Sequence, residues 1–216
     1  MHGFLLNIFL NYSVAIAAMI AAIRFKTIYK DFKLFIFLIW FGLFNETVSL
    51  VLIYTHGYNT VNSNIYVLCE SCIIFSLFFG WQTISQTAYC GLLCLTSIIW
   101  IADNLVWHAL SGNNSVFRIA YSLLIVLCSI KQLNKLIACE RFSLVKNPVF
   151  LICAAFLIYY SCKAFVEVFN AFHLGLSHTF SRQLFTILYA ADFISNVIYA
   201  IALLCIPRKH VFTMQF

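Results

Sequence analysis

The chain has 216 residues, of which 63% are hydrophobic and only 9% are charged, and its formal net charge is +6. A soluble domain carries about 25% charged residues, so this composition excludes a soluble globular fold. The apolar runs also lack the alternation of apolar and polar residues that a transmembrane β-barrel requires, which favours helices in lipid.

Seven apolar segments are long enough to cross a bilayer, because a spanning helix needs about 20 mainly apolar residues. The first segment lacks the basic stretch of a signal peptide, so we predict that it is retained. The connections are short, and no linker composition divides the chain. The sequence predicts an all-α fold, a single seven-helix transmembrane domain over residues 1–216 with spans at about 3–23, 34–54, 64–83, 89–110, 115–134, 148–169 and 184–206.

The basic residues indicate the orientation, because Lys and Arg gather in cytoplasmic connections. Ten of the thirteen basic residues occupy the first connection, the fifth connection and the C-terminal tail: Arg24, Lys26, Lys30, Lys33, Lys131, Lys135, Arg141, Lys146, Arg208 and Lys209. With seven spans, this pattern predicts an N-terminus outside and a C-terminus inside. It also accounts for the positive net charge without a nucleic-acid partner.

Four acidic residues lie inside predicted spans at nearly one depth: Glu46, Glu70, Asp103 and Asp192. At 1.5 Å of rise per residue, they fall about 9–12 Å from the predicted outer boundary. A carboxylate in hydrocarbon costs roughly 2.5–3.5 kcal/mol on insertion scales unless it is protonated, paired or hydrated. We therefore predict a polar cavity that opens to the outer face, in which protons or a cation neutralise part of this charge.

Other polar residues are predicted in or near the same layer. Lys163 lies at a similar depth and is the expected internal counter-ion, and Glu167 four residues later can pair with it on one helix face. The candidate ligand-binding or ion-binding residues are Glu46, Glu70, Asp103, Asp192, Lys163, Asn7, Asn11, Asn104 and Arg118. An alternative is that the acids only hydrogen-bond the helices together.

The histidines on the predicted outer side include His108, His173 and His178. Imidazole together with carboxylate suits zinc, which makes these residues candidate metal ligands. Their spacing does not specify a metal site, however, so we expect neither a metal nor another cofactor.

Residues 62–70 (NSNIYVLCE) follow a span that carries Glu46. This arrangement resembles a group of small bacterial seven-helix membrane proteins of unknown function. The resemblance covers mainly the second and third spans. It implies a bacterial cytoplasmic membrane and brings no activity with it.

The acidic layer favours a sensor or transport protein that binds or moves protons, a cation or a small polar ligand. Two alternatives stay open: an intramembrane lipid-directed enzyme, with or without a metal, and a structural or accessory subunit of a membrane complex. The expected partners are the lipid bilayer and either a second copy of the chain or another subunit of such a complex.

Overall fold

A computed structural model describes residues 10, 12–112, 114–139, 144–172 and 178–207. Within these ranges the chain is helical and contains no strand, which confirms the predicted all-α class. The helices are α1 (Val14–Arg24), α2 (Lys33–His56), α3 (Thr60–Gly80), α4 (Gln86–Ile101), α5 (Ser115–Cys139), α6 (Pro148–Ala171) and α7 (His178–Cys205). One-turn 3-10 helices cover Lys30–Phe32 and Leu144–Lys146, and α4 continues as a π-helix over Ala102–Trp107.

Six of the helical segments are long and apolar enough to cross a membrane: Lys30–His56, Thr60–Gly80, Gln86–Trp107, Ser115–Ala138, Pro148–Ala171 and Arg182–Cys205. They correspond to the second to seventh predicted spans, with ends that differ by a few residues. Helix α1 has 11 described residues and is shorter than a full span. Most of the predicted first half of that span lies outside the described residues.

The helix ends follow local sequence signals. Gly57 ends α2 in a left-handed conformation (φ 80°), which glycine adopts without the steric cost of a Cβ atom. Pro148 occupies the first turn of α6, where its missing N–H costs no hydrogen bond. The side chain of Asn147 accepts hydrogen bonds from the backbone N–H groups of Val149 and Phe150 and so caps the same helix.

Helix α1 packs between α2 and α7. Its buried face consists of small residues, among them Ala17 and Ala21, which let the helix backbones approach closely. Trp40 of α2 donates from its indole N–H to the carbonyl of Ala18 (3.3 Å). The guanidinium of Arg24 donates to carbonyl oxygens at the C-terminal end of α7, where a cation also complements the helix dipole.

The two ends of the bundle differ in charge. We call one the basic end; its described basic residues are Arg24, Lys26, Lys30, Lys33, Lys131, Lys135 and Lys146. A hydrogen bond from Lys135 to the carbonyl of Gln82 joins α5 to the α3–α4 connection there. At the opposite end, polar side chains join the start of α3 and the start of α5 to the ends of α4 and α6.

Candidate functional site

A cavity between α1, α2, α3, α6 and α7 brings three of the predicted acids together. Its lining includes Glu46 from α2, Glu70 from α3 and Asp192 from α7. The space open to the centre of a water molecule is about 100 Å³. That is enough for several water molecules or a small ligand, since a single water needs about 10–15 Å³ on this measure.

Glu70 is held in place by three partners. Its two carboxylate oxygens accept hydrogen bonds from the hydroxyls of Tyr66 (3.0 Å) and Tyr121 (3.1 Å). The ammonium group of Lys163 lies 3.7 Å from Oε2 of the same carboxylate. Glu70 and Lys163 therefore form a buried ion pair, and the two tyrosine hydroxyls supply the hydrogen bonds to the carboxylate.

Lys163 is also surrounded by aromatic rings. Its Nζ lies 5.1 Å, 5.2 Å and 5.7 Å from the ring centroids of Tyr121, Tyr159 and Tyr160. Electron-rich ring faces at this distance attract a cation. The lysine is not part of the cavity lining, so it makes no direct contact with a molecule in the cavity.

Glu46 and Asp192, in contrast, have no cationic contact among the described residues. Asp192 accepts one hydrogen bond, from the side-chain amide of Asn196 (3.1 Å), which also donates to Ser13 (2.9 Å). The carboxylate of Glu46 has no hydrogen-bond or ion-pair partner in the described part of the chain. The cavity thus presents two carboxylates that are available to a ligand.

Asp103 and Asn104 do not reach this cavity. Asp103 is fully buried in the π-helix and accepts hydrogen bonds from the backbone N–H of Phe117 (2.7 Å) and from His108 (Nδ1, 3.0 Å). Asn104 pairs with Asn114 just before α5. The reason is the position of α4, whose main contacts among the described helices are with α3 and α5, at the edge of the bundle. The carboxylate of Asp103 caps the N-terminus of α5 instead.

This cap predicts a stability defect. Changing Asp103 to Ala leaves the buried N–H of Phe117 without its acceptor, which we expect to lower the free energy of unfolding by about 1–3 kcal/mol. Asp103→Asn keeps an acceptor oxygen and should lose less. SDS titration of the purified protein in mixed micelles measures both values. The matched control is Asp31→Ala, since Asp31 is exposed at the basic end. An equal loss in Asp103→Ala and Asp31→Ala would contradict the capping role.

Arg118 lies in a polar network at the end opposite the basic end. Its guanidinium donates to Ser63 (2.9 Å), to Asn64 (3.0 Å) and, at 3.5 Å, to Glu167. Glu167 also accepts a hydrogen bond from Ser115 (2.8 Å). The network joins α3, α5 and α6 and contributes no side chain to the cavity.

The expected pair of Lys163 with Glu167 does not form. Lys163 pairs with Glu70 across the bundle, and Glu167 pairs with Arg118. The spacing of four residues on α6 permits an intrahelical pair, but a partner on a neighbouring helix competes with it. Each carboxylate also accepts hydrogen bonds from nearby hydroxyls. Glu70 accepts from Tyr66 and Tyr121, and Glu167 accepts from Ser115.

The remaining candidates fall into two groups. Asn7, Asn11 and His173, together with the side chain of His178, lie outside the described residues. His108 is described and contacts Asp103. Among the described residues, no three His, Cys, Asp or Glu side chains are grouped closely enough to hold a metal ion.

The sequence patterns did not single out the uncharged polar residues of the cavity wall. These are Tyr66, Tyr159, Tyr160, Ser195, Asn196 and Tyr199. Helical spacing could have found some of them, because Asp192, Ser195, Asn196 and Tyr199 follow the i, i+3, i+4 and i+7 pattern of one helix face.

The chain matches no protein-family model, no curated protein and no solved structure. The resemblance of residues 62–70 to small bacterial seven-helix proteins therefore stays a prediction.

Proposed function

We propose that the protein crosses a bacterial cytoplasmic membrane seven times, with its N-terminus outside, and binds a small monovalent cation in the cavity. Six crossing-length helices support the topology, and α1 continues an apolar run that begins near residue 3. The seven described basic residues of the connections lie at one end of the bundle, as the distribution of Lys and Arg in cytoplasmic connections requires.

The main support for this proposal is that acidic side chains outnumber basic ones at the cavity. Three carboxylates from three helices line it, and the one buried lysine beside them is already paired with Glu70. Glu46 and Asp192 are left without a cation in an apolar bundle, where each unpaired carboxylate costs several kcal/mol. A bound cation between them offsets this cost, so the empty site favours uptake of positive charge.

The shape of the cavity favours a sensor or carrier over an open pore. Its acids lie at the end that holds Glu46 and Asp192. The end nearer the basic end is mainly apolar and is lined by Phe35, Ile39, Phe156 and the ring of Tyr199. A hydrated ion does not pass readily through such an apolar stretch. In this proposal the cation enters from the outer side and binds midway through the membrane.

Cation-dependent stabilisation tests the proposal. Purified protein in detergent is heated in Na⁺, K⁺, ammonium or methylammonium chloride at constant ionic strength, and the unfolding temperature is followed by circular dichroism. We expect methylammonium to raise this temperature in a saturable way, because a ligand at 100 times its Kd stabilises the folded state by about 2.7 kcal/mol. The double variant Glu46→Gln/Asp192→Asn should lose this response.

The control variant is Asp31→Asn, which removes an exposed acid at the basic end and should respond like the wild type. If no cation raises the unfolding temperature of the wild type, or if the double variant responds equally, the proposal is overturned. A cation-insensitive wild type whose folded double variant is less stable would instead support a purely structural role of the acids.

A further inference from the structure

The cavity is elongated along the bundle and changes character along its length. On α2 its lining runs from Glu46 through Gly42 and Ile39 to Phe35. Eleven residues separate Glu46 from Phe35, which corresponds to about 16 Å along a helix. The cavity is therefore a narrow chamber with an acidic end and an apolar end.

The apolar end is closed by well-buried side chains. Phe35 and Phe156 are almost fully buried, and Leu38, Ile39 and the ring of Tyr199, which packs against both phenylalanines, complete this part of the wall. This end holds no acid and one hydroxyl, that of Tyr199, so water inside it has few hydrogen-bond partners. Apolar cavities of this kind gain stability from an apolar occupant rather than from water.

Gly42 lies between the two ends. A Cβ atom added there would meet only the hydroxyl of Tyr66, at 3.5 Å, which is an ordinary contact. The absence of a side chain on Gly42 therefore leaves room between Glu46 and the apolar wall, so that one molecule can occupy both ends at once.

We infer that the cation bound by this protein is an amphipathic primary amine, whose ammonium group lies between Glu46 and Asp192 and whose unbranched alkyl tail fills the chamber toward Phe35 and Phe156. This inference rests on the proposed function and adds the chemical class of the ligand. Three donors of an ammonium group suit two carboxylates, and the tyrosine faces of the wall favour a positive charge.

An alkylammonium series tests the inference. Apparent Kd values for methyl-, ethyl-, propyl- and butylammonium are obtained from the unfolding temperature of the detergent-purified protein at constant ionic strength. Each buried methylene contributes about 0.8 kcal/mol, so the Kd should fall about fourfold for each added carbon. Alcohols of the same lengths lack the charge, and their effect should be weak and unchanged by Glu46→Gln/Asp192→Asn.

Variants at Gly42 separate the apolar end from the acidic end. Gly42→Leu fills the chamber and should abolish the dependence on chain length while methylammonium still binds. Gly42→Ala is the matched control and should keep most of the dependence. If Gly42→Leu does not fold, Ile39→Phe provides a second block within the same wall.

The outcomes distinguish the two proposals. Equal Kd values for methylammonium and butylammonium in the wild type would overturn the amphipathic ligand and leave a simple cation site in place. If butanol bound as tightly as butylammonium, the ammonium group would have no role in binding, and the amphipathic amine would also be overturned. If no ammonium ion stabilises the protein at all, the cation site itself fails.

Discussion

Replacement of Lys163 by Met is expected to lower the free energy of unfolding by about 3–5 kcal/mol, because it leaves the buried carboxylate of Glu70 without its cation. Both side chains of this pair are only 8% exposed. Met keeps much of the length and apolar volume of the lysine stem, so the loss reports mainly on the charge and not on a void. The three tyrosine rings around Nζ also lose their cation.

The double variant Glu70→Gln/Lys163→Met should recover a large part of this loss, because removing both charges of a buried pair is much less costly than removing one. SDS titration in mixed micelles measures the free energy of unfolding for each variant. Lys131→Met is the matched control, since Lys131 is exposed at the basic end. If the double variant is as unstable as Lys163→Met alone, the pair is not the source of the effect.

Depth in the membrane could be read from the sequence, because it depends only on helix direction and on the rise per residue. On that basis Glu46, Glu70, Asp103 and Asp192 were indistinguishable. Three of them line one cavity, since α2, α3 and α7 each contribute a wall to it. Asp103 lies on a helix at the edge of the bundle. Helix neighbours determine this difference, and the apolar periodicity of a single span does not reveal them.

Pairing was equally hard to predict. Lys163 and Glu167 satisfy the spacing rule for an intrahelical pair, yet each has its partner on a different helix. Local spacing describes which contacts are allowed, whereas tertiary packing decides which of them form. The hydroxyls that hold Glu70 come from Tyr66 and Tyr121, and the apolar patterns of α3 and α5 do not show which hydroxyl meets which carboxylate.

The second large effect that we expect is a loss of stability when Arg118 is replaced. Arg118→Met removes the only charge that contacts Glu167 within the described residues and leaves the acceptors on Ser63 and Asn64 without their donor. Breaking a buried pair in this way costs about 3–5 kcal/mol. Because Ser115 and Asn170 continue to bind Glu167, we expect a value at the lower end of this range.

The polar network around Arg118 shares no side chain with the cavity, so we expect its loss to lower stability without affecting ligand binding. Arg118→Met should therefore reduce the free energy of unfolding in SDS titration while the saturating shift caused by methylammonium persists at temperatures where the variant is folded. Arg118→Lys keeps the charge without the planar fork and should fall between Met and wild type. Arg182→Met removes an exposed arginine from α7 and serves as the control. A loss of the methylammonium response in folded Arg118→Met would show that the network and the cavity act as one site.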